Sequence, residues 1–329
     1  MSQKRSVRTA SLLLVLVLVA TPAGATCGSA GCFLVTGTEE GLAGTGKLGF
    51  DLSYRYVDQD VKLAGSDDVS EVLAPKIDFE AGTIEPDHHR EIRTQNTAVL
   101  LGVTYGLTAR LTLALSLPLL QERDHQHVDE VGTAEEHFSG SDGQRGLGDL
   151  QAGVRGAFLV GERNLVMGTL MVKAPTGAYR LLDSEGAVAE PTLQPGTGSW
   201  DGIAGVQWTR LRGDGSLEWF AAGSYRRNGT NDLEYRMGGE LQGSGGVRLR
   251  RGDRFEPSLQ VNVRDAGRDR FLGTDVPSTG SQLWNLTPGL RFRREGGGSF
   301  YAFLQVPLHQ KVNETQLAPR YGVVLGATF

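Results

Sequence analysis

The chain has 329 residues and 46 of them are glycine, about twice the usual share. Its formal net charge of -5 lacks the basic surplus of a nucleic-acid binder, so no nucleic-acid partner is expected. With 39% hydrophobic and 22% charged residues it is neither disordered nor low in complexity, and no run reaches the roughly 18 apolar residues of a membrane helix.

The first element is a pattern of export. Lys4, Arg5 and Arg8 precede the apolar run Leu12–Ala20 and the small residues Ala23-Gly24-Ala25, so residues 1–25 are expected to be a signal peptide. Residues 26–46 then form a periplasmic amino-terminal segment carrying Cys27 and Cys32. A short-range disulfide is the expected state of that pair, because export leads to an oxidising compartment. A metal or redox site is the alternative, but no nearby histidine completes a four-ligand zinc set.

From residue 47 to 329 the apolar side chains recur with period two. Leu48, Phe50, Leu52, Tyr54 and Tyr56 share one face, with Asp51, Ser53 and Arg55 on the other. Leu111 to Leu119 and Phe255 to Arg264 repeat the pattern. Twelve strands are predicted, at 47–60, 91–105, 109–122, 147–160, 164–176, 199–211, 216–228, 233–251, 253–266, 281–294, 298–311 and 317–329. Tight glycine turns alternate with longer connections at 61–90, 123–146, 177–198, 229–232, 267–280 and 312–316. An even number of strands with alternating turn lengths predicts a transmembrane antiparallel up-and-down β-barrel of about twelve strands, not a soluble sandwich. Its partners would be outer-membrane lipid, an unknown small solute and, because Phe329 ends an amphipathic strand, the barrel-assembly machinery. The expected location is the cell outer membrane.

If the apolar face meets lipid, the other face lines the lumen. Its basic residues would be Arg55, Arg155, Lys173, Arg226, Arg236, Arg248, Arg250, Arg254, Arg264, Arg291, Arg293 and Arg320. Its acids would be Asp51, Asp149, Asp201, Glu218, Glu234, Glu240 and Glu256. The excess of cations, concentrated from Arg226 onward, predicts a net-basic lumen selecting small polar or anionic solutes. The same residues can equally pair into ladders that fill the interior. Twelve strands lie between a packed and an open barrel, so narrowing by side chains or by an infolded loop is expected.

His88, His89, His125, His127 and His137 fall in the first two long connections, among acidic residues. His125-x-His127 puts two rings on one face of an extended chain, so these five are the candidates for metal ligands, with solvated loop histidines as the alternative. No metal site and no cofactor is assigned. Catalysis has no constellation to support it: His309, the sole histidine within a predicted strand, has no serine beside it, and neither Gly-x-Ser-x-Gly nor a nucleotide loop occurs at a strand-to-helix turn. The chain is read as a non-enzyme.

Three glycine-rich stretches occur in order: Gly146-Leu-Gly-Asp-Leu-Gln-Ala-Gly153, Val172-Lys-Ala-Pro-Thr-Gly177 and Gly196-Thr-Gly-Ser-Trp-Asp-Gly202. With Glu91-Ile-Arg-Thr94 and Tyr105-Gly-Leu-Thr108, they make residues 91–329 resemble the outer-membrane transporter family associated with meta-pathway phenol degradation. The resemblance implies a barrel and uptake of hydrophobic or aromatic compounds. The expected function is thus a channel or transporter for small polar, anionic or aromatic compounds. The alternative is a structural or ligand- or metal-binding barrel with a closed lumen.

Overall fold

The computed structural model describes residues 42–139, 143–250 and 254–329. The expected signal peptide and the Cys27–Cys32 pair lie outside these residues. Twelve strands form the wall: β1 (Leu48–Ala64), β2 (Thr83–Thr108), β3 (Leu111–Asp129), β4 (Gln151–Val160), β5 (Asn164–Lys173) and β6 (Asp201–Leu211) make one half. β7 (Leu217–Arg227), β8 (Glu240–Leu249), β9 (Phe255–Ala266), β10 (Ser281–Arg293), β11 (Ser299–Val312) and β12 (Thr315–Thr328) make the other. Each pairs antiparallel with the next. β1 also pairs with β12, from Asp51 opposite Thr328 to Ala64 opposite Thr315, and so closes the ring. Every predicted strand of the wall is present in the expected order.

The two faces of the wall have opposite chemistry. Leu113, Leu170, Val206, Leu259, Leu304 and Leu325 are exposed on the outside, Leu170 by 63%. Between them Ser53, Asn96, Thr112, Gln260, Asn262 and Thr287 are buried on the inside. A soluble protein does the reverse. An apolar belt around a polar interior suits a wall whose outer solvent is hydrocarbon. Tyr54, Tyr105, Phe158, Trp208, Tyr225 and Phe300 are exposed near strand ends, as interfacial girdles require.

One part of the wall rises far above this belt. β2 has 26 residues, against the roughly 9–11 that cross a bilayer at a tilt. Its upper part, Thr83 to Asn96, carries polar outward groups such as Arg93, which grips Asp58 of β1 at 2.8 and 2.9 Å. Residues 73–78 pair with it as a hairpin. The upper part of β3 pairs with it across, and with residues 137–139 and 145–146 on its other side.

Two corrections to the sequence reading follow. His88, His89, His125 and His127 stand on β2 and β3, not in connections, because these strands continue past the belt. The eighth strand begins at Glu240, not 233. Residues 235–236 instead pair with 270–271, and these with 274–275, in a small three-stranded sheet outside the ring. Arg236 and Glu234, expected in the lumen, therefore belong to the connections. Ile77, Tyr235, Met237, Phe271 and Val276 give this cap an apolar core of its own.

If the belt meets lipid, Leu115→Arg places a cation at its middle, since Leu115 lies halfway along the outward run Leu111–Leu119. Urea unfolding of the vesicle-folded variant should show about 2–4 kcal/mol lost. Unchanged stability would mean that Leu115 does not face hydrocarbon.

Candidate functional site

The lumen is crossed by charge ladders whose rungs are set by strand register. Glu218 lies opposite Arg248, Arg226 opposite Glu240, Glu256 opposite Arg291, and Asp201 opposite Lys173. Directly opposed side chains on one face are close enough to interact. Glu218 takes Arg248 at 3.3 Å and Arg250 at 2.9 Å, and Glu256 takes Arg293 at 2.6 Å. Arg264, almost fully buried, holds Glu240 at 2.8 Å. Arg291 lies over the Tyr301 ring at 5.9 Å, and Tyr301 donates to Asp51 at 2.7 Å. Of the expected lumen cations, Arg254 contacts Glu295 at the turn end and is half exposed, and Arg320 pairs with Asp60 at 2.6 Å with 57% of its side chain exposed. Arg248, Arg250, Arg264 and Arg293 thus meet opposite charges.

The three glycine-rich motifs, distant in sequence, converge at one point. Lys173 Nζ lies 2.6 Å from Asp149 and 3.0 Å from Asp201, donates to the Ser199 carbonyl at 2.9 Å and also contacts Thr197 Oγ1. Asp149 in turn accepts the backbone N–H of Gly177 and of Thr197, both at 2.9 Å. Lys173 ends β5 and Asp201 opens β6, so this network ties together both ends of the connection 174–200. Gly177 and Gly196 pack backbone to backbone. A Cβ on Gly196 would meet the Gly177 carbonyl oxygen at 2.5 Å, which is why a side chain is excluded there.

Beyond this anchor the connection 174–200 folds inward. Ala189, Leu193 and Gln194 are buried. Gln194 holds the fold of the segment through Leu181 N–H, Leu181 C=O and Ala189 C=O. Glu190, Thr192 and Leu193 reach Gln59 of β1, Gln316 and Leu317 of β12 and Ser278 around a cavity of about 50 Å³. The expected infolded loop is this segment. At the turn end, by contrast, a vestibule of about 530 Å³ lies against Met167, Glu218, Phe220, Arg248 and Arg250.

Under the infolded segment stands the histidine cluster, placed by two β-bulges. Ile92 is an extra residue on β2 and Leu119 an extra residue on β3. Each shifts the side-chain alternation by one, so that above them odd-numbered residues point inward. Gln121, Arg123, His125, His127 and Asp129 are all buried as a result, as is His89. The His125 and His127 rings stack at 4.8 Å, and His89 meets His127 at 5.0 Å. His127 Nε2 lies 2.8 Å from Asp129, His125 Nδ1 2.8 Å from Thr94 Oγ1, and His89 Nε2 3.2 Å from Glu190.

This cluster stands above the apolar belt, and its titration is strongly shifted. Desolvation, with Glu91 adding repulsion, pushes the Glu190 carboxyl up to about 8. Desolvation pushes Glu91 up to about 7, and it drives His89 down to about 3 with help from His127. Among the described residues, three overlapping groups could hold a metal, the ligand atoms of each within 4.8 Å of one another: His89, Glu91 and His125; His88, His89 and Asp129; and Asp129, His137 and Glu185. Glu91, Glu190 and Glu185 were not among the residues singled out as ligands. The signal for Glu91 was its place two residues beyond His89, legible only once the segment is known to be a strand.

No protein-family model matches the chain, and no curated protein matches it. Among solved structures it is similar to an outer membrane channel from Pseudomonas putida F1, at 14% identity and a TM-score of 0.62, over 90% of this chain and 99% of that one. A Pseudomonas aeruginosa FadL homologue matches more loosely, at 12% identity and a TM-score of 0.42, over 86% of this chain and 90% of that one. The P. putida toluene transporter TodX matches at 9% identity and a TM-score of 0.39, over 85% and 89%. The likeness to the first is one of fold, and the looser two carry no argument.

Lys173→Met leaves Asp149 and Asp201 buried without their cation, at a cost of about 3–5 kcal/mol. That cost should fall on the connection 174–200, so trypsin should cut after Arg180 faster than in the parent protein. An unchanged rate would mean that the Lys173 network does not hold the segment.

Proposed function

We propose that the chain is an outer-membrane channel for small aromatic or anionic compounds, closed at its loop end by its own connection 174–200. The observation that carries this reading is the nature of the closure. The strands seal the wall through backbone hydrogen bonds, whereas the mouth is blocked by a separate segment anchored at its two ends. A segment held by side chains can move without breaking the barrel. The belt of exposed apolar side chains and the fold shared with the Pseudomonas putida channel support a site in the outer membrane, reached through the signal peptide at residues 1–25.

The solute class follows from the inner wall. Guanidinium groups offer planar donor forks to carboxylates, and Arg248 and Arg291 lie over the rings of Phe220 and Tyr301 at 5.9 Å each. A small aromatic acid or phenol would find both surfaces on its way to the turn-end vestibule. The resemblance to the family associated with phenol degradation points to the same class. Export and folding would engage the barrel-assembly machinery through β12.

A second reading is a closed structural or ligand-binding barrel. It is favoured by the pairing of Arg248, Arg250, Arg264 and Arg293 with carboxylates, since compensated ladders also rigidify an interior. Replacing residues 182–192 by a short Gly-Ser linker leaves the Lys173 network intact and separates the two. Planar bilayers should show a conductance several-fold above that of the full chain. Conductance that stays at the parent level would leave the closed barrel as the better reading. In the shortened protein, R248S/R250S should shift the reversal potential toward cation preference, and an unmoved potential would take these arginines off the path.

A further inference from the structure

The geometry points to a site for a divalent transition metal, such as zinc, formed by His89, Glu91 and His125 and completed by Glu190 of the infolded connection. The four side chains come from three elements, β2, β3 and the segment 174–200, and meet at the mouth of the barrel. Ligand atoms of His89, Glu91 and His125 lie within 4.8 Å of one another. His89 Nε2 and Glu190 Oε1 are 3.2 Å apart, close to the edge of about 3.3 Å expected between N and O ligands around one tetrahedral zinc. Yet His89 Nε2 makes no hydrogen bond, although the side chain is only 4% exposed. A buried ring nitrogen that faces a carboxylate oxygen at 3.2 Å in a geometry that makes no hydrogen bond is what a cation between them would explain.

The surroundings are those of a ligand set. Thr94 Oγ1 lies 2.8 Å from His125 Nδ1 and fixes that ring, the outer hydrogen bond that metal-bound histidines commonly carry. Glu91 accepts the Leu317 backbone N–H through Oε2 at 3.3 Å and keeps its second oxygen for the ion. Glu91, His125 and Glu190 all border the cavity of about 50 Å³ at the mouth. Two imidazoles with two carboxylates suit zinc, nickel or copper and disfavour calcium or magnesium, which take oxygen ligands. The two neighbouring groups are weaker candidates. Asp129 is engaged with His127 at 2.8 Å, His88 faces Glu130 at 3.3 Å, and His137 and Glu185 are exposed.

Because three ligands belong to the wall and the fourth to the segment that blocks the mouth, a bound ion would staple the plug to the barrel. The full chain, purified in detergent and stripped with chelator, is titrated with zinc chloride by calorimetry. One ion per chain is expected. H89N/H125N should abolish uptake, and Thr94→Val, which puts a methyl in place of the hydroxyl on His125, should weaken it by about 10–100-fold. Zinc-edge X-ray absorption on the unaltered protein should report two imidazoles with oxygen neighbours. Trypsin cleavage after Arg180 should slow with zinc in the parent protein and not in E190Q. No uptake, or an edge spectrum without two imidazoles, would overturn the site, and uptake without protection would remove Glu190 from it. None of these measurements reads conductance, so the site and the channel reading can fail separately.

Discussion

A backbone that lies against hydrocarbon has no water to satisfy its polar groups, so the ring must close before anything else in this molecule can be arranged. The pairing of β1 with both β2 and β12 achieves that closure. It also dictates where the side chains go. With the outside of the belt given to lipid, charged and amide groups at that height are forced into a narrow interior, and a buried charge is tolerable only beside its opposite. Direct cross-strand register supplies the opposites: Glu218 faces Arg248, Arg226 faces Glu240 and Lys173 faces Asp201. The ladders are thus a consequence of closure, not an addition to it.

The mouth is built on a different principle. Above the belt water returns, and here the structure relies on side chains. Lys173 gathers the two ends of the connection 174–200, and Gln194 folds its middle. A cap with its own small apolar core sits beside it, in which Tyr235 donates to Asp269 at 2.7 Å. Breaking the wall would expose a row of backbone groups, whereas lifting the plug exposes a few side chains to water. The free-energy cost of opening is therefore lowest at the mouth.

Much of this was legible in the sequence, and the limits of legibility have physical causes. Period two identifies strands and their faces, so the count of twelve and the apolar belt could be read directly. It cannot tell where lipid ends, so β2 and β3 were expected to stop near 91 and 122, short of their upper extensions. Nor does it report register, so Arg248 and Arg250 were visible as inward cations while their pairing with Glu218 was not. The glycine-rich motifs are legible in the sequence only as a resemblance, and their meeting at Lys173 explains why each carries a glycine, lysine or aspartate at its point of contact. Arg236 keeps the alternation of a strand, but its backbone pairs with Arg270 in the small sheet and not with the wall.

The two bulges at Ile92 and Leu119 carry a broader implication. Along most of the wall, changing what the lumen contains requires replacing one side chain by another. On β2 and β3 the same outcome is reached by counting: one residue more or less below the mouth exchanges all of the residues above it between the interior and the outside of the wall. Substitution tunes the chemistry of such a wall position by position, but a single-codon insertion or deletion rewrites it wholesale. The histidines under the plug therefore owe their place to the length of two strands as much as to their identity.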